Sequence, residues 1–350
     1  MANVVHKVVS NVDTIIVLKN PALRFAVWDE DASSQTDDGT ERVSAHVLVE
    51  EQGEEPIEEE GIQFHVCAGN LMSASPWFNR ALKKDGWMEG NREGEDRQHR
   101  LSAEGWDEEA FKILMNVFHL RHRKIPQSVS LEMLAKIAVL VDYYECSEAI
   151  ELYTNMWITH LKENAPVPET YCRDLILWIW VAWAFQLSDP YQEATATAIK
   201  QSNECVRNLG LPIPDTITDE IDLRRLQAIE DIVSRLHELL DGYRSATYSC
   251  AVGNVYSFQC GSMLLGALTK QLDEAKLLSP RLEVPFAERS FGDICGTVRL
   301  MTSPGWIHRK GSGLHTCSLA TTLESCIDTV TGTKGLSWTT MRTERDDECN

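Results

Sequence analysis

The segment that decides the fold of the N-terminal half is Asp13-Thr14-Ile15-Ile16-Val17-Leu18, which is apolar and rich in β-branched residues. Such a run is typical of a buried β-strand. Phe25-Ala26-Val27-Trp28 predicts a second short strand. Ile62-Gln63-Phe64-His65-Val66 alternates apolar and polar residues and predicts a half-buried strand. The chain is therefore expected to begin with a small sheet.

The hydrophobic period becomes helical after residue 66. Apolar residues between Leu71 and Leu82 predict a compact helical pair, with Pro76 in the first turn of the second helix. The polar, glycine-containing segment 83–100 predicts a loop. Further helices are predicted over 107–118, with acidic residues in the first turn, and over 131–161, with a serine N-cap.

This order of strands, helical pair, loop, helix, short extended piece and helical hairpin resembles a BTB/POZ domain, in detail that of fungal BTB proteins. The resemblance covers residues 11–161 and departs from the family pattern at Cys67-Ala68, where the family usually has His-Lys. It implies an α+β fold, a short mixed sheet capped by helices. The residues that carry it are Asp13 to Leu18, Phe64-x-Val66, Leu71-x-x-x-Ser75-Pro76-x-Phe78, Asp107-x-x-Ala110-Phe111, Leu134-x-x-x-Ala138 and Asp142-x-Tyr144-x-Cys146.

The same resemblance implies a non-catalytic protein–protein interaction module. BTB proteins mostly self-associate through the first strand and neighbouring helices, which implies another BTB chain as the partner and a homodimer. A stable contact of this kind buries about 800 Å² per partner. The partner-binding residues implied in this chain are Ile15, Val17, Leu71, Trp77 and Phe78.

The loop after the helical pair contains Trp87, Met88 and Glu89. This tripeptide resembles the hydrophobic-x-Glu element with which some BTB adaptors bind a cullin scaffold. A substrate adaptor of a cullin-type ubiquitin ligase is therefore an alternative function. A loop whose one aromatic residue folds back on the core is the competing interpretation of these three residues.

The negative charge is concentrated in one segment. The chain has 33 Lys+Arg and 53 Asp+Glu, a net charge of −20. Residues 29–60 hold 13 acidic residues and Arg42, a net −12, which leaves −8 for the other 318 residues. The segment predicts a solvated acidic insertion at about 29–61, with Arg42 to Val49 as a strand within it.

The domain organisation follows from these patterns. We predict an N-terminal arm (1–10), a BTB/POZ domain with the acidic insertion (11–163), a mainly helical C-terminal domain (164–340) and a polar tail (341–350). The first boundary is placed at Asn164-Ala165-Pro166-Val167-Pro168. A long helix is predicted over 219–241, with Gly242 as its stop and with its apolar stripe against the helix that contains Trp178 and Trp183.

The segment Leu175 to Phe185 is entirely apolar but holds only eleven residues, about 16 Å of helix. A bilayer core requires about 30 Å, so this segment predicts a buried core helix and no membrane contact. The N-terminus lacks a secretory signal pattern, and the ten cysteines lack the spacing of a disulfide scaffold. A cytoplasmic or nuclear protein is expected.

Enzyme signatures are not found in the sequence. His237-Glu238-Leu239-Leu240-Asp241 begins like a zincin helix but has Asp where the second His ligand is needed. Gly311-Ser312-Gly313-Leu314-His315 lacks the third glycine of a dinucleotide loop. Walker A and nucleophile-elbow motifs are absent, as are basic runs for nucleic acid. We therefore expect neither catalysis nor nucleic-acid binding.

One set of residues keeps a metal hypothesis open: Cys250, Cys260, His315 and Cys317. Zinc takes four N/S ligands, and Cys3His is a common structural set. Their spacing lacks the short Cys-x2–4-Cys turn of a zinc knuckle, and Cys295, Cys326 and Cys349 are possible substitutes. A zinc-dependent module or enzyme is the third functional alternative. Small buried apolar thiols are the competing interpretation.

Overall fold

The computed structural model is a mixed α+β structure and describes residues 4–21, 24–28, 47–48, 61–83, 99–286, 288–307, 315–330 and 333–338. Its strands are β1 (Val5–Lys7), β2 (Thr14–Lys19), β3 (Val47–Leu48), β4 (Ile62–Val66) and β5 (His99–Glu104). Its helices are α1 (Ala68–Ala74), α2 (Pro76–Lys83), α3 (Glu108–Phe118), α4 (Leu131–Tyr143), α5 (Ser147–Asn164), α6 (Arg173–Ala184), α7 (Ser188–Gln201), α8 (Asp215–Arg244), α9 (Ser257–Glu274), α10 (Phe291–Arg299) and α11 (Leu319–Asp328).

The chain divides into two compact units. The first comprises Met1–Pro168, Cys172–Tyr191 and Asn208–Ile213, and the second comprises Glu169–Tyr171, Gln192–Arg207 and Pro214–Asn350. The division falls later than the predicted boundary at 163/164, because α6 packs on α4 and so belongs to the first unit.

The sheet of the first unit has the order β1-β4-β2-β5-β3 and is mixed. β4 pairs with β1 in parallel and with β2 antiparallel, while β5 pairs with β2 in parallel and with β3 antiparallel. The sequence correctly predicts β2 and β4. It misassigns β1 to an N-terminal arm and misses β5, whose first two residues it places in a loop.

The predicted strand at Phe25 to Trp28 does not form. Ala26 has φ 46°, a left-handed conformation that breaks an extended strand. The carbonyls of Phe25 and Ala26 accept hydrogen bonds from the Arg173 guanidinium at 2.9 and 2.7 Å. These carbonyls are satisfied by a side chain from a distant segment rather than by a neighbouring strand.

Helices of the first unit begin where side chains accept hydrogen bonds from their first turns. Asp107 accepts from Ala110 N at 2.9 Å at the start of α3, and Ser130 accepts from Met133 N at 3.1 Å, as the sequence predicts for α4. The N-terminus of α1 is held from outside the helix, because Asp13 Oδ1 accepts from Ala68 N at 2.7 Å. Asp13 thereby connects β2 to the helical pair.

The tryptophan-rich helix α6 is a core helix, which confirms the interpretation from its length. Its residues from Leu175 to Ala182 are at most 1 % exposed. Trp180 Nε1 donates to the carbonyl oxygen of Ala135 on α4 at 3.1 Å. Among the residues that the structure describes, no helix has the length and hydropathy needed to cross a membrane.

An ion-pair network also holds α4 to its surroundings in the first unit. Glu132 binds Lys136 and Arg173 at 2.8 Å each, and Lys136 also binds Asp107 at 2.9 Å. The hydrogen bond from Lys136 lowers the pKa of Glu132, with Arg173 acting in the same direction and partial burial opposing both. The folded state therefore favours the ionised form of this carboxyl.

We predict that Glu132→Gln destabilises the protein at pH 7 and reduces its acid sensitivity. Because the folded pKa of Glu132 lies below its unfolded value, its contribution is present above the unfolded pKa. It is lost as the pH falls through the folded pKa. Urea unfolding of both proteins between pH 7 and pH 3 should give free energies of unfolding that differ at pH 7 and become equal at low pH. Glu163→Gln, a change at an exposed position on α5, is the control. If the free energy of unfolding of Glu132→Gln differs from that of the natural protein by the same amount at every pH, the prediction is wrong.

The second unit has a helical core formed by α8, α9, α10 and α11. The apolar stripe of α8, which the sequence predicts to pack against the Trp178/Trp183 helix, contributes Ile229, Val233, Leu236 and Leu240 to this core. The helix also continues past Gly242 to Arg244, so Gly242 is not its stop. Gly242 therefore lies inside the helix, and no heavy atom lies within 4 Å of the position that a Cβ would take there.

Candidate metal centre and candidate interaction edge

The structure brings together the four Cys and His residues that the sequence singles out. Cys250 lies in the turn between α8 and α9, and Cys260 lies on α9. His315 and Cys317 lie in the extended segment before α11. One ligand atom from each of these residues lies within 4.8 Å of all the others.

The distances from Cys250 to two of the other ligand atoms match the edges of a tetrahedron around a metal ion. With Zn–S near 2.3 Å and Zn–N near 2.0–2.1 Å, tetrahedral geometry places two sulfurs about 3.8 Å apart, and sulfur and nitrogen about 3.6 Å apart. Cys250 Sγ lies 3.7 Å from Cys317 Sγ and 3.5 Å from His315 Nε2. His315 Nε2 lies 3.1 Å from Cys260 Sγ. The two distances from Cys250 agree with these edges, and the Cys260–His315 distance is about 0.5 Å shorter than the sulfur–nitrogen edge.

The neighbouring residues hold the ligands in place. The imidazole of His315 stacks on Trp306 with ring centroids 4.3 Å apart, and His315 N donates to Trp306 O at 3.0 Å. Cys250 N donates to Ser257 Oγ at 3.0 Å. Cys250, Cys260 and His315 are buried and Cys317 is half-buried. Three ligands are therefore shielded from water, and Cys317 marks the more accessible side.

Tyr248 supports Cys260 directly. The Tyr248 hydroxyl lies 3.2 Å from Cys260 Sγ. Gly261 permits this approach, because a Cβ at Gly261 would lie 2.9 Å from Tyr248 Cδ1. The sequence carries no signal for either residue, although Tyr248 stands two residues before Cys250.

The thiols differ in acidity within the group. Burial raises the pKa of Cys260 to about 12. Burial acts in the same direction on Cys250, but the backbone N–H groups of Val252 and Gly253 and the neighbouring thiols outweigh it and lower the pKa of Cys250. Within the group, Cys250 is therefore easier to ionise than Cys260, and a bound divalent cation would favour ionisation of the thiols that it contacts.

The remaining candidates from the sequence lie elsewhere. Cys295 and Cys326 are not part of the group, and Cys349 lies outside the described residues, as does the 311–314 part of the glycine-containing motif. His237 Nε2 lies 3.0 Å from the carbonyl oxygen of Leu277, a structural contact within the second unit.

The partner-binding residues implied by the family resemblance are mostly buried within the chain. Ile15 and Val17 lie on β2, which has a neighbouring strand on each side, and are 6 % and 1 % exposed. Leu71 and Phe78 are at most 1 % exposed, and Trp77 is half-buried in ring contact with Tyr143 and Tyr144. Four of the five side chains belong to the core of the first unit and offer no surface. Trp87, Met88 and Glu89 lie outside the described residues.

β1 offers the surface that β2 does not. It is an edge strand, and Val4 and Val5 are 48 % and 43 % exposed. Gln63 N donates to Val4 O, and Val8 N donates to His65 O. Since backbone groups alternate along a parallel pair, those of Val5 and Lys7 point away from β4. Among the described residues no strand pairs with this outer edge.

The orientation of β1 is fixed by its middle residue. His6 Nε2 lies 2.7 Å from Glu108 Oε1 at the start of α3, and the His6 ring contacts Phe64. The edge is thereby anchored on the helical layer as well as on β4. Comparisons of the chain with protein-family models, with curated proteins and with solved structures found no match.

Proposed function

We propose that this protein is a non-catalytic interaction module whose first unit is a BTB/POZ-like domain that self-associates. The order of elements supports the domain assignment: a central apolar strand β2, the helical pair α1–α2, then α3 and the α4–α5 hairpin. The partner that this proposal favours is a second copy of the same chain.

The observation that carries self-association is the open edge of β1. An unpaired edge strand presents N–H and C=O groups that template pairing with another strand. In β1 this edge holds the backbone groups of Val5 and Lys7, and Val5 adds exposed apolar surface. A three-residue strand buries less than the roughly 800 Å² per partner of a stable contact. We therefore expect a reversible, concentration-dependent dimer.

We predict that Val5→Pro abolishes dimer formation and leaves the fold intact. Proline removes the outward-pointing N–H of Val5, whereas the β1–β4 ladder uses the neighbouring residues. Sedimentation of the full chain over a concentration series should shift from 39.5 kDa toward twice that mass, about 79 kDa, for the natural protein. The Val5→Pro protein should remain at 39.5 kDa throughout.

Val5→Thr is the matched control, because it keeps the N–H and the β-branched side chain. It should dimerise like the natural protein. A monomeric natural protein at every concentration, or a Val5→Pro protein that dimerises with unchanged affinity, would refute self-association through this edge. Circular dichroism of each variant confirms that the comparison is between folded proteins.

A further inference from the structure

We propose that Cys250, Cys260, His315 and Cys317 bind one Zn²⁺ ion in a closed structural site within the second unit. The proposal stands apart from self-association of the first unit, since it uses other residues and another chemistry. Three sulfurs and one imidazole nitrogen fill all four tetrahedral positions, so none remains for water or a substrate. A site of this kind stabilises a fold rather than catalysing a reaction.

The donor set and the geometry both select zinc. Soft thiolate ligands select zinc, copper(I) or iron–sulfur clusters, whereas magnesium and calcium require oxygen ligands. The imidazole and the three thiols place four ligand atoms within 4.8 Å of one another, which fits one tetrahedral ion. The 3.7 Å sulfur–sulfur and 3.5 Å sulfur–nitrogen distances from Cys250 agree with the tetrahedral values for zinc.

The position of the site explains what the ion does for the second unit. Cys250 and Cys260 lie at the junction of α8 and α9, whereas His315 and Cys317 lead into α11, 65 and 67 residues after Cys250. Between the two segments, Tyr256 at the start of α9 also makes ring contacts with His315 and Trp306, with centroids 6.4 and 6.3 Å apart. An ion bound by all four residues would hold the segment before α11 against the α8–α9 turn and α9.

Tyr248 is a positioning residue of this site. Its hydroxyl is placed to donate to the Cys260 sulfur at 3.2 Å, and it does not itself occupy a coordination position. Outer partners of this kind change metal affinity by roughly 10–100-fold. Tyr248→Phe should therefore weaken zinc binding by about 10-fold while leaving the stoichiometry at one.

The test compares two buried cysteines of the same unit. Cys260 and Cys295 lie on helices α9 and α10, at 0 % and 3 % exposure, and only Cys260 belongs to the group. Cys260→Ala and Cys295→Ala remove the same atoms from comparable surroundings. Zinc is measured by elemental analysis of the dialysed full chain, and its affinity by competition with a chromophoric chelator.

One zinc per chain is expected in the natural protein and in Cys295→Ala, with affinity reduced more than roughly 100-fold in Cys260→Ala. If Cys260→Ala fails to fold, cobalt(II) is exchanged into the natural protein. A tetrahedral spectrum with strong thiolate-to-cobalt bands is then expected. The absence of zinc from the natural protein together with an octahedral cobalt spectrum would overturn the proposal, as would unchanged zinc affinity in a folded Cys260→Ala.

Discussion

Replacement of Trp180 by alanine should lower the free energy of unfolding by about 3–5 kcal/mol, the range found for large aromatic residues in a well-packed core. Trp180 lies on α6, is 1 % exposed and donates from its indole nitrogen to Ala135 O on α4 at 3.1 Å. The substitution opens a cavity between two helices and leaves that carbonyl with one partner fewer. Both changes weaken the packing of α6 against α4 within the first unit.

Urea unfolding followed by tryptophan fluorescence and by far-UV circular dichroism measures this change. Trp180→Phe separates the two causes, because it keeps most of the apolar volume and removes only the N–H donor. The free energy of unfolding of Trp180→Phe should fall by a smaller amount, on the order of 1–2 kcal/mol. Equal losses for alanine and phenylalanine would show that the hydrogen bond, rather than packing, dominates at this site.

Gly335→Ala should detach the segment Thr333–Trp338 from α7 of the second unit. A Cβ at Gly335 would lie 1.7 Å from Gln192 O, a backbone atom that cannot move aside within a helix. The segment would have to leave, with loss of the hydrogen bond from Leu336 N to Thr195 Oγ1 at 2.8 Å and exposure of the buried Leu336. The two losses sum to roughly 2–4 kcal/mol.

Limited trypsin digestion reports this detachment, since Lys334 lies within the segment. Cleavage after Lys334 should accelerate in Gly335→Ala. Gly266→Ala is the control: it lies on α9 with nothing within 4 Å of the added Cβ, and should stabilise the protein by up to about 1 kcal/mol through helix propensity. Unchanged trypsin sensitivity in Gly335→Ala would show that α7 yields instead.

Local signals account for the parts of the fold that the sequence predicts. α3 and α4 are recognisable because their N-caps, Asp107 and Ser130, are encoded within a few residues of the apolar faces they precede. β5 escapes prediction because His99-Arg100-Leu101-Ser102-Ala103-Glu104 has neither the alternation nor the β-branched residues of a typical strand. It forms by pairing with β2 and β3, neighbours in space that the local pattern does not contain.

For the candidate sites, too, the sequence predicts the residue chemistry but not the arrangement that packing produces. The metal-ligand set follows from residue chemistry, but its convergence depends on the packing of α8–α11, which no short-range pattern encodes. The residues that the resemblance implies for partner contacts are mostly buried within the chain, because an apolar run does not distinguish a central strand from an edge strand. Ile15 and Val17 lie in the apolar run that predicts β2, and both are core residues. The open edge of the sheet is instead formed by β1, a short segment around Val5 whose sequence has no strong strand pattern.

The separation of the metal ligands along the chain has a consequence during synthesis. Ribosomes add roughly 5–20 residues per second, so the 67 residues between Cys250 and Cys317 take roughly 3–13 s to appear. During that interval the first two thiols are present without the other half of their site. We therefore expect the yield of the correctly folded second unit in cell-free translation to depend on zinc being present while the chain is made, and less on zinc added afterwards.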